Sequence, residues 1–182
     1  MFDQSAQRLC QSDEVAAAEG WRRFELGATV TGTVSLIPRP GAIGILVDVD
    51  GVQGFVDVLS LPRQVESWPA VGTTTTFEVL TRRPGQIRLW PLDPAFRDGS
   101  FDNGVSAEEW LARKARYPVG TLLTAVVSDA YVSDGSYTVR YVGGWSRLEE
   151  DGELPEVGST AGYEVVRHLD TTRRTLLRPA GT

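Results

Sequence analysis

The sequence predicts a mainly β protein made of two tandem five-stranded barrels, each preceded by a short α-helix. Three observations lead there. Short β-branched runs recur with apolar residues on alternate positions. Glycine and proline punctuate these runs at intervals that leave no room for βαβ units. The whole pattern is also read twice along 182 residues, a length that accommodates two small domains.

Taken in order, residues 1–26 form an N-terminal helical segment, with the helix expected over 12–24. Ser12 supplies a cap, Asp13 and Glu14 suit the positive end of the helix, and Trp21 and Phe24 give it an apolar edge. The first barrel spans 27–91. Its strands run Gly27 to Val34, Ile43 to Val49, Val52 to Val58, Thr75 to Leu80 and Ile87 to Trp90. Asp50-Gly51 makes the hairpin turn, and a helical turn and loop fill Leu61 to Trp68.

Residues 92–118 are a linker and a second helix. Pro94, Gly99, Ser100, Asn103 and Gly104 crowd the linker. Ser106 and Glu109 form a capping box for a helix through Arg116, which Pro118 stops. The second barrel spans 119–182, with strands Leu122 to Val127, Tyr137 to Val142, Trp145 to Leu148, Ala161 to Val166 and Arg174 to Arg178.

The repeat itself is visible residue by residue. Gly27 returns as Gly120, an offset of 93, and Val71-Gly72 returns as Val157-Gly158, an offset of 86. Ile87-Arg88-Leu89-Trp90-Pro91 returns as Thr175-Leu176-Leu177-Arg178-Pro179, an offset of 88. Offsets that drift only between strands are what loop-length changes in a duplicated unit produce. Gly144 aligns with either Gly51 or Gly54. Residues 1–95 and 104–182 are therefore each expected to fold alone.

Composition narrows function mostly by exclusion. Net charge is −6, and residues 117–182 hold nine acids against six arginines, which disfavours sequence-blind binding to duplex DNA. The single cysteine, Cys10, rules out an intramolecular disulfide and any multi-cysteine metal site. No run is long and apolar enough to span a membrane, and Met1 to Cys10 lacks the pattern of a secretory leader, so a cytoplasmic protein without a membrane partner is expected. His168, the only histidine, has no nucleophile motif to serve and reads as structural or simply exposed. Asp48, Asp50 and Asp57 are better explained by a turn and a solvent-facing strand than by a cation, and the acidic run 149–153 lacks calcium-loop spacing. No catalytic residues, metal or cofactor are expected, and the chain does not read as an enzyme.

The first copy resembles the S-one RNA-binding domain, the OB-fold module named after the bacterial ribosomal small-subunit protein one. The residues that carry the resemblance are Gly27-x-x-Val30-x-Gly32-x-Val34, Gly54-Phe55-Val56-Asp57-Val58-Leu59-Ser60, Val71-Gly72 and Ile87-Arg88-Leu89. The resemblance covers about a third of the chain, and the second copy follows only through its repeat relation to the first. It implies binding of single-stranded RNA on one barrel face through aromatic, histidine and basic side chains. The chain departs from the family at that face. Ile43-Gly44-Ile45-Leu46 stands where the family has Phe-Gly-x-Phe, and Asp57 stands at the family's histidine.

Strand parity places the remaining candidates. With Val56 and Val58 inward, Phe55 and Asp57 face out, and Arg88 and Trp90 share the outer face of the last strand. Phe55, Arg88 and Trp90 then form a stacking platform, unless Trp90 packs against the adjoining helix or linker. In the second copy the candidates are Tyr137, Arg140, Trp145, Arg147, Arg174 and Arg178, with Tyr141 alternating with Tyr137. Arg167, Arg173, Arg174, Arg178 and His168 stand against a single acid in their segment, Asp170, giving a basic patch interleaved with aromatics. The rival reading is a surface paired with its own acids. The expected function is weak binding of single-stranded RNA, mainly by the second copy. The alternative is a protein-binding adaptor or immunity-type inhibitor that has kept the scaffold and lost RNA binding.

Overall fold

The computed structural model describes residues 20–38, 43–97, 104–150 and 152–181. The chain divides into two compact units, Met1–Phe101 and Asp102–Thr182. Residues 12–19 of the expected first helix, Cys10, residues 98–103 of the linker and Asp151 lie outside the described residues. What is described before the first strand is a 3-10 turn, Gly20–Arg23.

The first unit has strands β1 (Thr29–Leu36), β2 (Gly44–Val49), β3 (Val52–Asp57), β4 (Thr74–Arg83) and β5 (Gln86–Pro91), closed in the order β1-β2-β3-β5-β4. Closure depends on β3 and β5 pairing in parallel, Gly54 opposite Ile87 and Phe55 opposite Arg88, while β1 and β4 pair antiparallel. This is the OB-type barrel order. The β2–β3 hairpin turns at Asp50 and Gly51, whose φ values of 50° and 81° are those of a type I′ turn. Asp48 Oδ1 accepts from the Gly51 N–H at 2.9 Å and holds it. β3 stops one residue earlier than expected. Asp57 caps a 3-10 turn, Val58–Ser60, by accepting from the Leu59 N–H at 3.0 Å, so Val58 is exposed rather than inward.

The second unit has α1 (Ala107–Arg116) and strands β6 (Leu122–Tyr131), β7 (Ser136–Tyr141), β8 (Gly144–Glu149), β9 (Thr160–Leu169) and β10 (Arg174–Pro179). The capping box at Ser106 and Glu109 is present, with bonds of 3.1 and 2.8 Å. The strand order β10-β9-β6-β7-β8 is the same circuit as in the first unit, but its sheet is open where β8 meets β10. The hairpins Val49 to Val52 and Tyr141 to Gly144 superpose in register, so Gly144 corresponds to Val52, neither of the two alignments expected. Ser146 therefore stands where the first unit has Gly54.

That exchange falls on the strand that borders the open seam. A Cβ built on Gly54 would overlap Leu89 Cδ1 and lie 3.2 Å from the Val47 carbonyl oxygen. The missing Cβ leaves room for the Leu89 side chain against β3. Ser146 keeps its Cβ and a buried Oγ with no hydrogen-bond partner.

Each barrel has its own core. The first is almost wholly hydrocarbon, with Ile45, Val47, Val49, Phe77, Val79, Ile87 and Leu89 at its centre. The second places Tyr137, Val139, Tyr141, Tyr163, Val165, Thr175 and Leu177 at the matching register positions. α1 is tied to its barrel by Trp110 Nε1, which donates to Asp170 Oδ1 at 2.8 Å, and by Lys114 Nζ on the same oxygen at 2.6 Å. Those two donors hold the Asp170 carboxyl below its usual pKa, the lysine contributing most.

Candidate nucleic-acid interface

The expected stacking platform of the first unit exists, but it is already covered. Phe55 on β3 and Arg88 on β5 are register partners, and the Arg88 guanidinium lies 4.4 Å above the Phe55 ring centroid. Arg88 Nη1 also reaches Asp57 Oδ2 at 3.4 Å. The ring is left 7% exposed. Trp90 does not join this face as expected; at 3% exposure it is packed, which was the other reading of its position. An indole offers a large apolar area, and burying it outweighs presenting it to water.

Tyr137 and Tyr141 also depart from the expected surface. The side chains of β7 alternate so that Tyr137, Val139 and Tyr141 point into the barrel, and Tyr137 is 2% exposed. The Tyr137 and Tyr163 hydroxyls hydrogen-bond each other, and burial pushes the Tyr137 phenol far above its ordinary pKa. The run Tyr-x-Val-x-Tyr fits an inward face as well as an outward one, and only the pairing register decides between them.

The outer face of β7 and β8 carries Arg140 and Trp145, directly opposite one another. Trp145 is 39% exposed, and Arg140 is also exposed. Val126 on β6, the register partner of Arg140 on its other side, is exposed as well.

The remaining arginines are engaged by their own unit. Arg147 on β8 stacks 4.3 Å over the Tyr131 ring, and its Nη2 donates to Asp134 Oδ2 at 3.0 Å and to Ser136 Oγ at 2.8 Å. Arg178 places Nε and Nη2 on Glu164 Oε2 at 3.0 and 2.7 Å. Arg174 donates from Nε to Thr172 Oγ1 at 3.2 Å. Of the basic patch, Arg178 is thus paired with an acid of its own unit, and Arg174 is held by a threonine hydroxyl. His168 is structural. Its Nε2 lies 2.9 Å from the Tyr117 carbonyl oxygen, its Nδ1 lies 3.2 Å from Thr175 Oγ1, and Trp110 packs edge-on at 5.4 Å.

Sequence reasoning missed Tyr131 and Asp134. The expected strand stopped at Val127, whereas β6 continues through a bulge at Ser128 to Tyr131. The same bulge recurs at Ser35 of β1, 93 residues earlier and likewise past that strand's expected end. Among the described residues no group of three or more His, Cys, Asp or Glu side chains is gathered as a metal site would be, and no helix is long and apolar enough to cross a membrane.

No protein-family model matches the chain, and no curated protein matches it. Solved structures that show likeness include two from bacteria. One is the solution structure of GSP13 from Bacillus subtilis, 26% identical over 38% of this chain and 56% of that one, with a TM-score of 0.34. The other is the crystal structure of a multidomain protein with nucleic acid binding domains from Streptococcus pneumoniae. It is 16% identical, over 87% of this chain and 54% of that one, with a TM-score of 0.31. The chain thus spans little more than half the length of either. At such scores the assignment of the fold rests on the strand order and register above.

Proposed function

We propose that this is a cytoplasmic, non-enzymatic nucleic-acid-binding protein whose second unit binds single-stranded RNA weakly through Trp145 and Arg140. The observation that supports it is the exposed indole of Trp145 with an exposed guanidinium directly across the strand pair. An aromatic face accepts any unpaired base, and an adjacent arginine accepts the flanking phosphate. One stack is worth about 1–3 kcal/mol, and this single small site therefore predicts weak affinity. The two solved structures of similar outline include one described as carrying nucleic acid binding domains, which agrees with the reading without supporting it further.

A protein partner is the second reading. Val126 and Val142 are exposed apolar residues close to Trp145 in the strand register, and a protein surface would cover them where RNA would not. Fluorescence polarisation with a labelled single-stranded RNA, at two salt concentrations, separates the two. Trp145→Ala should weaken binding about tenfold with an unchanged salt slope, and Arg140→Ala should flatten that slope by about 0.7, one phosphate's share. No binding at micromolar protein and low salt would leave the protein-partner reading standing.

A further inference from the structure

Both units carry the same three-part arrangement on their outer surface: an aromatic ring, an arginine laid over it and an aspartate holding the arginine. In the first the parts are Phe55, Arg88 and Asp57, at 4.4 Å from ring to guanidinium and 3.4 Å from arginine to carboxylate. In the second they are Tyr131, Arg147 and Asp134, at 4.3 and 3.0 Å. The repeat does not explain the likeness. The second-unit positions that correspond to Phe55, Asp57 and Arg88 hold Arg147, Glu149 and Leu176. Each unit has built the stack from different strands.

We propose that Asp57 and Asp134 are specificity-determining residues, each fixing an arginine as a built-in ligand that closes an aromatic face to nucleobases. This rests on the RNA-binding reading and sharpens it, because it confines binding to Trp145. A guanidinium is planar and stacks on an aromatic face much as a base does, so ring and base compete for one position. The carboxylate then removes the charge that would otherwise draw a phosphate to that arginine. Asp134 and Arg147 have side chains only 22% and 24% exposed, so water does little to loosen the clamp.

The test uses the full-length protein and a labelled single-stranded RNA in polarisation titrations. Asp134→Asn keeps the shape of the side chain and removes its charge, and it should tighten binding about threefold to tenfold. Adding Tyr131→Leu should remove most of the gain, since the newly opened face is then gone and only the uncancelled charge of Arg147 remains. Glu156→Gln, at an exposed acid of the same unit, controls for net charge and should change affinity much less. Asp57→Asn repeats the experiment in the first unit, where an asparagine can still cap the Val58–Ser60 turn. Melting curves on every variant confirm that each is folded. The proposal is overturned if Glu156→Gln tightens binding as much as Asp134→Asn, if the whole gain survives Tyr131→Leu, or if neither Asn variant binds more tightly. In that last case a parent that still loses binding through Trp145→Ala keeps the RNA-binding reading, whereas a complete absence of binding removes both.

Discussion

The two units agree down to single backbone hydrogen bonds and differ in what they enclose. Gly27 donates to the Val79 carbonyl and Gly120 to that of Val165, each at 2.8 Å; Gly72 donates to Val34 and Gly158 to Val127, again at 2.8 Å. Bulges fall at Ser35 and Ser128, and again at Leu80 and Val166. Inside, Ile45, Val49, Phe77 and Ile87 of the first barrel are replaced in register by Tyr137, Tyr141, Tyr163 and Thr175. The circuit of strands is therefore set by turns and bulges. The interior chemistry can change as long as most of the buried hydroxyls find partners. Among the described residues the buried hydroxyls left without a partner, Tyr141 Oη and Ser146 Oγ, both belong to the unit whose sheet is open.

The strongest way to break this comparison is to remove the first core. Phe77 is fully buried, and Phe77→Ala should cost about 3–5 kcal/mol. A small domain has little more than that to lose, so the first unit should unfold. All six phenylalanines lie within Met1–Phe101 and all five tyrosines within Asp102–Thr182, so each unit has its own spectroscopic reporter. Near-ultraviolet tyrosine dichroism should be unchanged in the variant. Loss of the tyrosine signal at the same denaturant concentration would show that the units do not fold independently.

A smaller effect sharpens the account of the seam. Gly54→Ala forces a methyl into Leu89 and should cost about 1–3 kcal/mol, with faster exchange of the β3 and β5 amides. Ser146→Gly should be close to neutral, because the backbone entropy lost, about 0.5–1 kcal/mol, is offset by removing a buried unpaired hydroxyl. If Gly54→Ala leaves both stability and exchange unchanged, the residue at this position is not what closes the first barrel.

Most of the fold was legible because it is written in local signals: Asp50-Gly51 for a hairpin, Ser106 with Glu109 for a helix start, and glycine pairs recurring at near-constant offsets. The candidate site was legible only in part. Trp145 could be placed outward from alternation, whereas Arg140 has the opposite parity to the Tyr137 and Tyr141 expected on that face, and only the strand register turns it outward. Trp90 and Tyr137 alternate just as regularly, yet they are buried by their tertiary surroundings, which period-two patterns do not encode. That Arg147 and Arg178 would be taken up by Asp134 and Glu164 depended on strand register, and on a strand extending four residues past its expected end.

The smallest expected effect at neutral pH becomes the clearest difference between the units at alkaline pH. Burial raises the phenol pKa of Tyr137, Tyr141 and Tyr163, all of them in the second unit. In the unfolded chain a tyrosine titrates near pH 10. A folded pKa above the unfolded one means that the fold favours the neutral phenol. Its contribution is therefore complete below about pH 10 and is lost as the pH climbs through the folded values. The first unit has no tyrosine and loses nothing by this route. Denaturation at pH 8 and pH 11, followed by tyrosine dichroism for the second unit and by the β3 and β5 amides for the first, should show the second unit losing more. Tyr137→Phe should cost only about 1 kcal/mol at pH 8, the hydrogen bond to Tyr163, and should reduce the alkaline loss because one buried titration has gone. Equal alkaline losses in the two units would mean that the tyrosine-lined interior does not set their difference in stability.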